Sequence, residues 1–346
     1  MQHVALSARA TGHSWVRAAP GAVALLYPAL LAATYRSAAW LHASGQVGPA
    51  VALAVSLTLA FAAPATALAL AAKWGRPGSA NAGDTRARGI AHLAFASPAM
   101  FTFLGVVVYL DGFPSADYLV WAALWVAIVV WMAVGHVSEG ASGAAALPKW
   151  LRPAHGVGAA LVIGGFILLH LFNHLTGFVS AQTHIAVMNA LRHWYRNEFV
   201  EPAVVALMLF MVVTGAMLLR AKLRRTGGWF DTLQTVTGTY LGIYIVGHMN
   251  SVFMYARLHE GLDTDFWFAS AGKAGLLGDP WSVRLLPHYA LGVWSVVTHA
   301  GCGLRTVMLA HGVTERTANR VAASISIAGA IATVPMILAL VRVHIG

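Results

Sequence analysis

The stretch FILLHLFNHLTGF, residues 166–178, is oily enough to lie in a lipid bilayer, yet it carries His170, Asn173 and His174. It completes an apolar segment that begins near residue 155. A helix of roughly 20 such residues crosses a hydrocarbon layer about 30 Å thick. Because histidine inside a membrane span is costly, its presence favours a functional site. The stretch therefore predicts a membrane helix and a buried polar site together.

The composition of the whole chain agrees with a membrane location. Of its 346 residues, 58% are hydrophobic and 10% are charged, and the mean hydropathy is +0.69. A soluble domain cannot bury that much apolar surface. We expect an all-α, polytopic transmembrane helical bundle of about nine spans. The predicted spans are 20–42, 50–72, 90–110, 118–138, 155–178, 201–220, 232–256, 287–310 and 321–343.

The first span is the least regular, because Arg36 interrupts it. A cleavable signal peptide is the competing interpretation. The long polar lead of residues 1–20 and the second apolar span that follows closely favour a membrane helix instead.

The basic residues predict the orientation of the spans. If alternate loops share a side, 15 of the 22 lysines and arginines lie on the side of the N-terminus. By the positive-inside rule the N-terminus is cytoplasmic and the C-terminus is outside, which fits a bacterial inner membrane. The net charge of +10 is thereby explained by topology. A nucleic-acid partner is not expected, since that would require a basic soluble face.

The chain divides into two membrane regions at residue 150. Residues 1–150 hold four predicted spans, and residues 151–346 hold five. The two longest outer connections are 179–200 and 257–286. The first has apolar residues at helical spacing, which predicts a helix on the membrane surface; these are Ile185, Met188, Leu191 and Tyr195. The second is rich in glycine and aspartate and predicts an irregular loop.

Several kinds of chemistry are excluded by motif. Cys302 is the single cysteine, so the chain has no intrachain disulfide, CxxC zinc site, thiolate-held iron–sulfur cluster or c-type haem attachment. No phosphate-binding glycine loop, nucleophile elbow or HExxH motif is present. Hydrolase chemistry therefore has no support.

Four histidines of the predicted spans are the candidates for a buried site: His170, His174, His248 and His299. His170 and His174 share a helix face, since four residues separate them. At 1.5 Å per residue, His170 lies about 6 Å, His174 about 12 Å and His248 about 4–5 Å to the outer side of the middle of its span. His299 lies near the middle of its own span. His170 is thus the depth match for His248.

Such a set favours haem. Bis-imidazole ligation of haem iron requires histidines from two facing helices at matching depth, with arginines near the rim to meet the propionates. The outer loops supply Arg192, Arg196, Arg257 and Arg284. For any one histidine alone, an interhelical hydrogen bond remains the alternative.

Two stretches resemble a known family. LQTVTGTYLGIYIVGHMNSV, residues 233–252, and HYALGVWSVVTHAGCGLRTVML, residues 288–309, are similar to haem-binding helices of the cytochrome b membrane anchors of succinate:quinone and fumarate:quinone oxidoreductases. The resemblance covers roughly residues 155–312. It implies haem b ligands at His248 and His299, with His170 or His174 as a further ligand, and a following motif at Gly303 and Arg305.

The chain also departs from that family. The span 201–220 has no histidine where a two-haem anchor should have a ligand, which favours one haem over two. A second haem between His92 and His136 is an alternative to structural roles for both. Six other histidines are expected near helix ends or in loops, where water can satisfy them; these are His42, His155, His184, His193, His259 and His288.

The sequence therefore predicts a b-type cytochrome-like protein that transfers electrons between quinone and a partner redox protein or subunit. Polar candidates for a quinone site on the outer side are Gln182, His184, Arg192, His193, Glu198 and His288. Glu198 or Glu201 is a candidate proton relay, with helix capping beside Pro202 as the alternative. The competing functions are a cofactor-free transporter or channel with a histidine-lined path, and a membrane anchor or assembly subunit.

Overall fold

A computed structural model describes residues 14–77, 82–134 and 147–346, and every regular element within these ranges is helical. We number the α-helices α1 to α12. Their bounds are α1 Ser14–Ser44, α2 Val47–Gly75, α3 Ala82–Phe95, α4 Ser97–Leu110, α5 Asp117–Val134, α6 Leu151–Thr176, α7 Ala181–Tyr195, α8 Val200–Leu223, α9 Trp229–Met249, α10 Phe266–Ala269, α11 Leu285–Ala310 and α12 Glu315–Leu340. The prediction of an all-α bundle is confirmed for these residues.

Six helices are long and apolar enough to cross a membrane: α1, from Val16 onward, α2, α5, α6, α8 and α12. Each corresponds to a predicted span. This supports a membrane protein at the level of length and composition.

The third predicted span, 90–110, is two helices. The axes of α3 and α4 differ by 63° across a break at Ala96. Pro98 lies in the first turn of α4. Because proline has no N–H to donate and restricts the residue before it, it ends a continuous helix and begins a new one.

The predicted spans 232–256 and 287–310 are helices that carry more polar residues than the other six. α9 buries four threonines, and α11 buries His288, Ser295 and Thr298. Many of these hydroxyls donate back to the carbonyl one turn earlier, as Thr239 does to Thr235 at 2.9 Å. These polar side chains are buried between helices, which explains why the two helices are less apolar than the other six.

α9 is the central helix of the bundle. It packs against α2, α3 and α4 on one side and against α8 and α11 on the other. Large aromatic side chains fill the space between the N-terminal helices, where Trp121 and Trp125 are buried. The two membrane regions divided at residue 150 thus share α9 as a common wall.

A buried ion pair joins the two regions. The Arg284 guanidinium donates to the Asp117 carboxylate at 2.7 Å, and both side chains are 3% exposed. Arg284 also lies over the Phe101 ring, with its Cζ 4.3 Å from the ring centroid. Because Arg284 comes just before α11 and Asp117 begins α5, the pair fixes these two helix starts side by side.

The chain segments after α6 and α12 meet at one end of the bundle. Ile345 N–H donates to the Phe178 carbonyl at 3.0 Å, and Leu276 N–H donates to the Leu340 carbonyl at 3.3 Å. At another point the loop after α8 joins the end of α2, where Gly227 N–H donates to the Gly75 carbonyl at 2.8 Å. The predicted topology also places the two loops of each contact on the same side of the membrane.

Candidate functional site

A large cavity lies among α6, α8, α9 and α11, with α7 across one end. Its volume is about 1300 Å³, above the ~300–1,000 Å³ of ordinary small-molecule sites. Most of its lining is aliphatic or aromatic. Seven histidines line it: His155, His170, His174, His184, His248, His288 and His299.

His170 on α6 and His248 on α9 face each other toward the end of this cavity that α7 closes. Their ring centroids are 6.2 Å apart, and the ring planes are inclined by 68°. A metal ion between two imidazoles, with bonds of about 2 Å and roughly 1 Å from each nitrogen to its ring centre, requires centroids about 6 Å apart. The separation of the ring centres is therefore close to that of two imidazoles on one metal ion, while the Nε2 atom of His170 lies 3.3 Å from His174 Nε2.

Both histidine-bearing helices depart from regular α geometry beside these rings. Residues Ile163–Ile167 form a π-helical turn in α6, three residues before His170. Residues Asn250–His259 continue α9 as a π-helix, two residues after His248. A π-turn adds a residue to the turn and rotates the residues that follow it, and such turns are frequent at functional sites. The apolar periodicity of the sequence did not predict these π-helical segments.

His174 and Asn173 lie beside the His170–His248 pair. We call these four residues the outer cluster, because the sequence predicts the outer side of the membrane here. The Nε2 atoms of His174 and His170 are 3.3 Å apart, and Asn173 Nδ2 lies 3.2 Å from His184 Nε2. Phe166 stacks on the His170 ring at 5.0 Å. The His174 ring is thus a hydrogen-bonding neighbour of His170, and His170 is the ring that reaches His248.

Tyr244 lies between His248 and His288. Its ring stacks on His248 at 5.7 Å and lies 4.6 Å from His288. A Cβ on Gly292 would lie 2.5 Å from the Tyr244 ring, so only glycine leaves room for this stack. The sequence did not indicate this contact, because Tyr244 and its partner glycine belong to different helices.

His299 lies toward the other end of the cavity, away from α7. Its Nδ1 is 3.0 Å from the Gln234 carbonyl oxygen and 3.3 Å from Thr237 Oγ1. Gly238, whose Cβ would meet the His299 ring at 2.8 Å, precedes His248 by ten residues, about 15 Å along a helix. His299 therefore does not share a site with His170 and His248.

His155 also lines the cavity, and the sequence analysis did not identify it as a cavity residue. Predicted to be satisfied by water near a helix end, it lines the cavity and has Nδ1 2.8 Å from Thr214 Oγ1 on α8. Gly215 lies against its ring. His184 and His288 were predicted to be water-satisfied as well, yet each is only 3% exposed. The prediction was wrong for His184 and His288, because α7 and the start of α11 fold onto the cavity, whereas His155 is half-buried and lies near the start of α6 as expected.

His92 has a structural role. Its Nδ1 donates to the Arg88 carbonyl at 2.7 Å, its Nε2 lies 2.9 Å from Thr235 Oγ1, and its side chain is buried. Both ring nitrogens are thus occupied by protein groups, which removes His92 as a ligand. His136, its suggested partner, lies outside the described residues.

The arginines predicted for the outer loops donate to Asp263 and Thr264 of one loop and to Glu201 at the start of α8. Arg192 donates to Asp263 at 2.9 Å, and Arg196 donates to Thr264 Oγ1 at 2.7 Å. The hydrogen bond from Arg192 lowers the pKa of the Asp263 carboxyl. Arg257 pairs with Glu201 at 2.8 Å, and Arg196 and Arg257 line the cavity mouth. Their Nε atoms are buried without a partner among the described residues.

Arg284 is not at this rim. It is occupied by Asp117, so the expectation that it meets a cofactor from the outer loops was wrong. Of the outer quinone-site candidates, His184 and His288 line the cavity, whereas the side chains of Gln182, His193 and Glu198 are exposed and do not. Glu201 lines it as the partner of Arg257.

The donor set suits a bound cofactor better than a bare metal ion. Within the described residues, no three histidine, cysteine, aspartate or glutamate side chains converge on one point. A haem requires only two protein ligands, because the macrocycle supplies the others. Gly156 and Gly303 line the cavity with open space where a Cβ would lie.

No protein-family model, curated protein or solved structure matches this chain.

Proposed function

We propose that this chain is a membrane-embedded b-type cytochrome that transfers electrons between quinone and a partner redox protein. The observation that carries the proposal is the 6.2 Å spacing of the His170 and His248 rings across an apolar cavity. Haem iron held by two imidazoles performs one-electron transfer without binding a further ligand. The resemblance of residues 233–252 and 288–309 to quinone-linked cytochrome b anchors points the same way.

The residues of the outer cluster have distinct roles in this proposal. His170 and His248 would hold the haem iron. Tyr244 and Phe166 stack on the ligand rings and limit their rotation. His174 hydrogen-bonds His170, and such outer contacts tune ligand basicity and hence the reduction potential. Arg196 and Arg257 lie at the mouth, where unpartnered Nε–H groups suit propionate oxygens.

One haem is the proposed content. A second haem, if one bound, would occupy the end of the cavity away from α7, between His155 and His299. Three basic residues line that end: Arg152, Lys222 and Arg305. His92 and His136 are not proposed as ligands, since His92 has both nitrogens occupied.

Quinone is proposed to reach the outer mouth of the cavity. Asn173, His184 and His288 present buried amide and imidazole groups there, and Asn173 Oδ1, His184 Nδ1 and His288 Nδ1 have no partner among the described residues. An imidazole N–H can donate to a quinone oxygen, and the Asn173 amide oxygen can accept from the hydroxyl of a quinol.

Nine crossings are proposed, with the N-terminus cytoplasmic and the C-terminus outside, in a bacterial inner membrane. Support comes from the excess of basic residues in alternate loops and from the lengths of α9 and α11. Reporter fusions at Lys222 and Lys273 test this. Opposite responses are expected, and the same compartment for both would refute nine crossings.

An absorption spectrum of the purified protein tests the proposed cofactor. Reduced-minus-oxidised bands of a b-type haem are expected, with one haem per chain on pyridine extraction. A colourless preparation would refute the proposal and favour a transporter, a channel or an anchor subunit without cofactor.

Two variants test the ligand assignment. His170→Ala should lose the low-spin bis-histidine spectrum, while His174→Ala should keep it with a shifted reduction potential, because His174 only hydrogen-bonds the ligand. The reverse pattern would assign the ligand to His174. Native haem in both variants would show that neither is a ligand.

A further inference from the structure

The end of the histidine cavity away from α7 carries two imidazoles that the proposed haem site does not use. They belong to His155 on α6 and His299 on α11. Each ring is hydrogen-bonded through Nδ1, and neither Nε2 atom has a hydrogen-bond partner among the described residues. Neither Nε2 is fully buried, so both remain accessible from the cavity. These two nitrogens are therefore free to contact a ligand.

The hydrogen bonds of His299 fix which of its ring nitrogens carries the proton. Its Nδ1 lies 3.0 Å from the Gln234 carbonyl oxygen, which can only accept. It also lies 3.3 Å from Thr237 Oγ1, whose own hydrogen is donated to the Leu233 carbonyl at 2.7 Å. Nδ1 is therefore the donor, and Nε2 of the neutral ring presents an unshared electron pair to the cavity.

His155 has the same arrangement on the facing helix. Its Nδ1 lies 2.8 Å from Thr214 Oγ1, and the Thr214 hydroxyl donates to the Phe210 carbonyl at 2.7 Å. Because that hydrogen is already donated, Thr214 Oγ1 accepts from Nδ1–H, and Nε2 of His155 is an acceptor as well. The two rings are close enough to interact electrostatically. Two hydrogen-bond acceptors thus line one end of the cavity.

His92 shows what such an acceptor nitrogen binds elsewhere in the bundle. Its Nδ1 donates to the Arg88 carbonyl at 2.7 Å, and its Nε2 lies 2.9 Å from the Thr235 hydroxyl, which can donate to it. Away from water, an acceptor without a donor costs free energy. His155 and His299 lack the hydroxyl that His92 has, so a ligand with hydroxyl groups suits this end of the cavity.

This end of the cavity opens sideways between α6 and α11. Gly156 of α6 and Leu304 and Val307 of α11 line the cavity and are exposed. A Cβ on Gly156 or on Gly303 would meet nothing within 4 Å, so neither helix is covered there. A ligand with an apolar tail can therefore enter from the bilayer and bring its polar head to the two imidazoles.

We propose that this end of the cavity binds a quinol, whose hydroxyls donate to Nε2 of His299 and of His155. The inference rests on the proposed quinone chemistry and assigns the reduced form to this end. A quinone has only acceptor oxygens and would leave both imidazole electron pairs without a donor, whereas a quinol has two O–H donors. The site therefore selects its ligand by redox form.

Isothermal titration calorimetry of the full-length protein in detergent tests this, with decylubiquinol and its dimethyl ether as probes. The protein is kept reduced, so that no electron transfer accompanies binding. His299→Leu should bind decylubiquinol about three- to tenfold more weakly than wild type, through the loss of one hydrogen bond. Its affinity for the dimethyl ether, which cannot donate, should not change. His92→Gln is the control and should bind both probes as wild type does.

The comparison of the two probes separates recognition of the hydroxyl from packing. Equal weakening of both probes in His299→Leu would mean that His299 only shapes the cavity, and this would overturn the proposal. Unchanged decylubiquinol binding would overturn it as well, and so would two haems per chain, because a second haem would occupy the same Nε2 atoms. If His299→Leu does not fold, His155→Leu should show the same selective loss, with the same outcomes counting against it.

The haem content is measured on the same samples and keeps this inference distinguishable from the proposed cytochrome function. One haem per chain without any selective loss in His299→Leu would refute the quinol site and leave the cytochrome proposal standing. A colourless protein that binds decylubiquinol through His299 would refute the cytochrome proposal and leave the quinol site standing.

Discussion

Between the N-terminal helices, Phe101, Trp121 and Trp125 fill the interior, whereas α6, α8, α9 and α11 leave a cavity of about 1300 Å³ between them. Each region buries histidine. His92 in the filled region has a protein partner at both nitrogens, while His170 and His248 in the open region contact mainly other rings. A buried histidine is therefore informative about function only when the space beside it is known.

The largest expected effect separates these two kinds of histidine. His248→Ala should lower haem per protein at least about tenfold, because one axial ligand is lost. His92→Ala should keep the haem and lose only stability, on the order of 1–3 kcal/mol, because it leaves Thr235 and the Arg88 carbonyl without a partner. Pyridine extraction and thermal unfolding measure the two. Equal haem loss would remove the distinction between the regions.

The ion pair that joins the regions should dominate stability. Asp117→Asn leaves the Arg284 guanidinium buried without its counter-charge, which costs roughly 3–5 kcal/mol of unfolding free energy. Haem per folded protein should not change, since the pair lies away from the histidine cluster. Asp111→Asn is the matched control at an exposed turn and should have little effect. A small loss in Asp117→Asn would show that the regions are held together by apolar packing alone.

Two glycines sharpen the contrast in packing. A Cβ on Gly21 of α1 would lie 2.8 Å from Val129, so Gly21→Ala should destabilise by about 1–3 kcal/mol. A Cβ on Gly156 of α6 meets open space, so Gly156→Ala should be neutral or stabilise by up to about 1 kcal/mol through helix propensity. Thermal unfolding in detergent compares them. Similar losses in both would mean that the C-terminal helices are as tightly packed as the N-terminal ones.

The smallest effect concerns pH and the helix across the cavity mouth. Burial lowers the pKa of His184 on α7 to about 4, against about 6.5 in an unfolded chain. Between these values the unfolded state binds more protons, so stability falls as pH drops from 6.5 towards 4, by on the order of 2 kcal/mol. His184→Gln should flatten this part of the stability curve. If the variant has the same pH dependence of unfolding free energy as the wild type, protonation of His184 is not what destabilises the folded state at low pH.

Apolar segment length was enough to predict most helices, because a membrane span depends on local composition. The bend between α3 and α4 was missed even though Pro98 was visible, since proline alone does not say whether a span kinks or divides. The surface helix at 181–195 followed from apolar spacing, and the structure has α7 there. That its His184 turns inward depended on where α6 ends.

The candidate site was predicted in part. Depth along the span pointed to His170 as the ring nearer His248, and the two lie 6.2 Å apart. His299 was proposed as a ligand by the family resemblance and not by depth, and it lies beside Gly238, ten residues before His248. His155 was missed because a residue near a helix end can still line a cavity that reaches that end.

By itself, the sequence determined that this chain is an all-helical membrane protein with histidines in its spans, since apolar length and buried ionisable residues are local properties. Only the tertiary structure decided which histidines share a space. It placed the His170 ring 6.2 Å from that of His248 and the His92 ring 2.9 Å from the Thr235 hydroxyl. Such pairings depend on helix rotation and on voids between helices, and both arise from packing among segments distant in the chain.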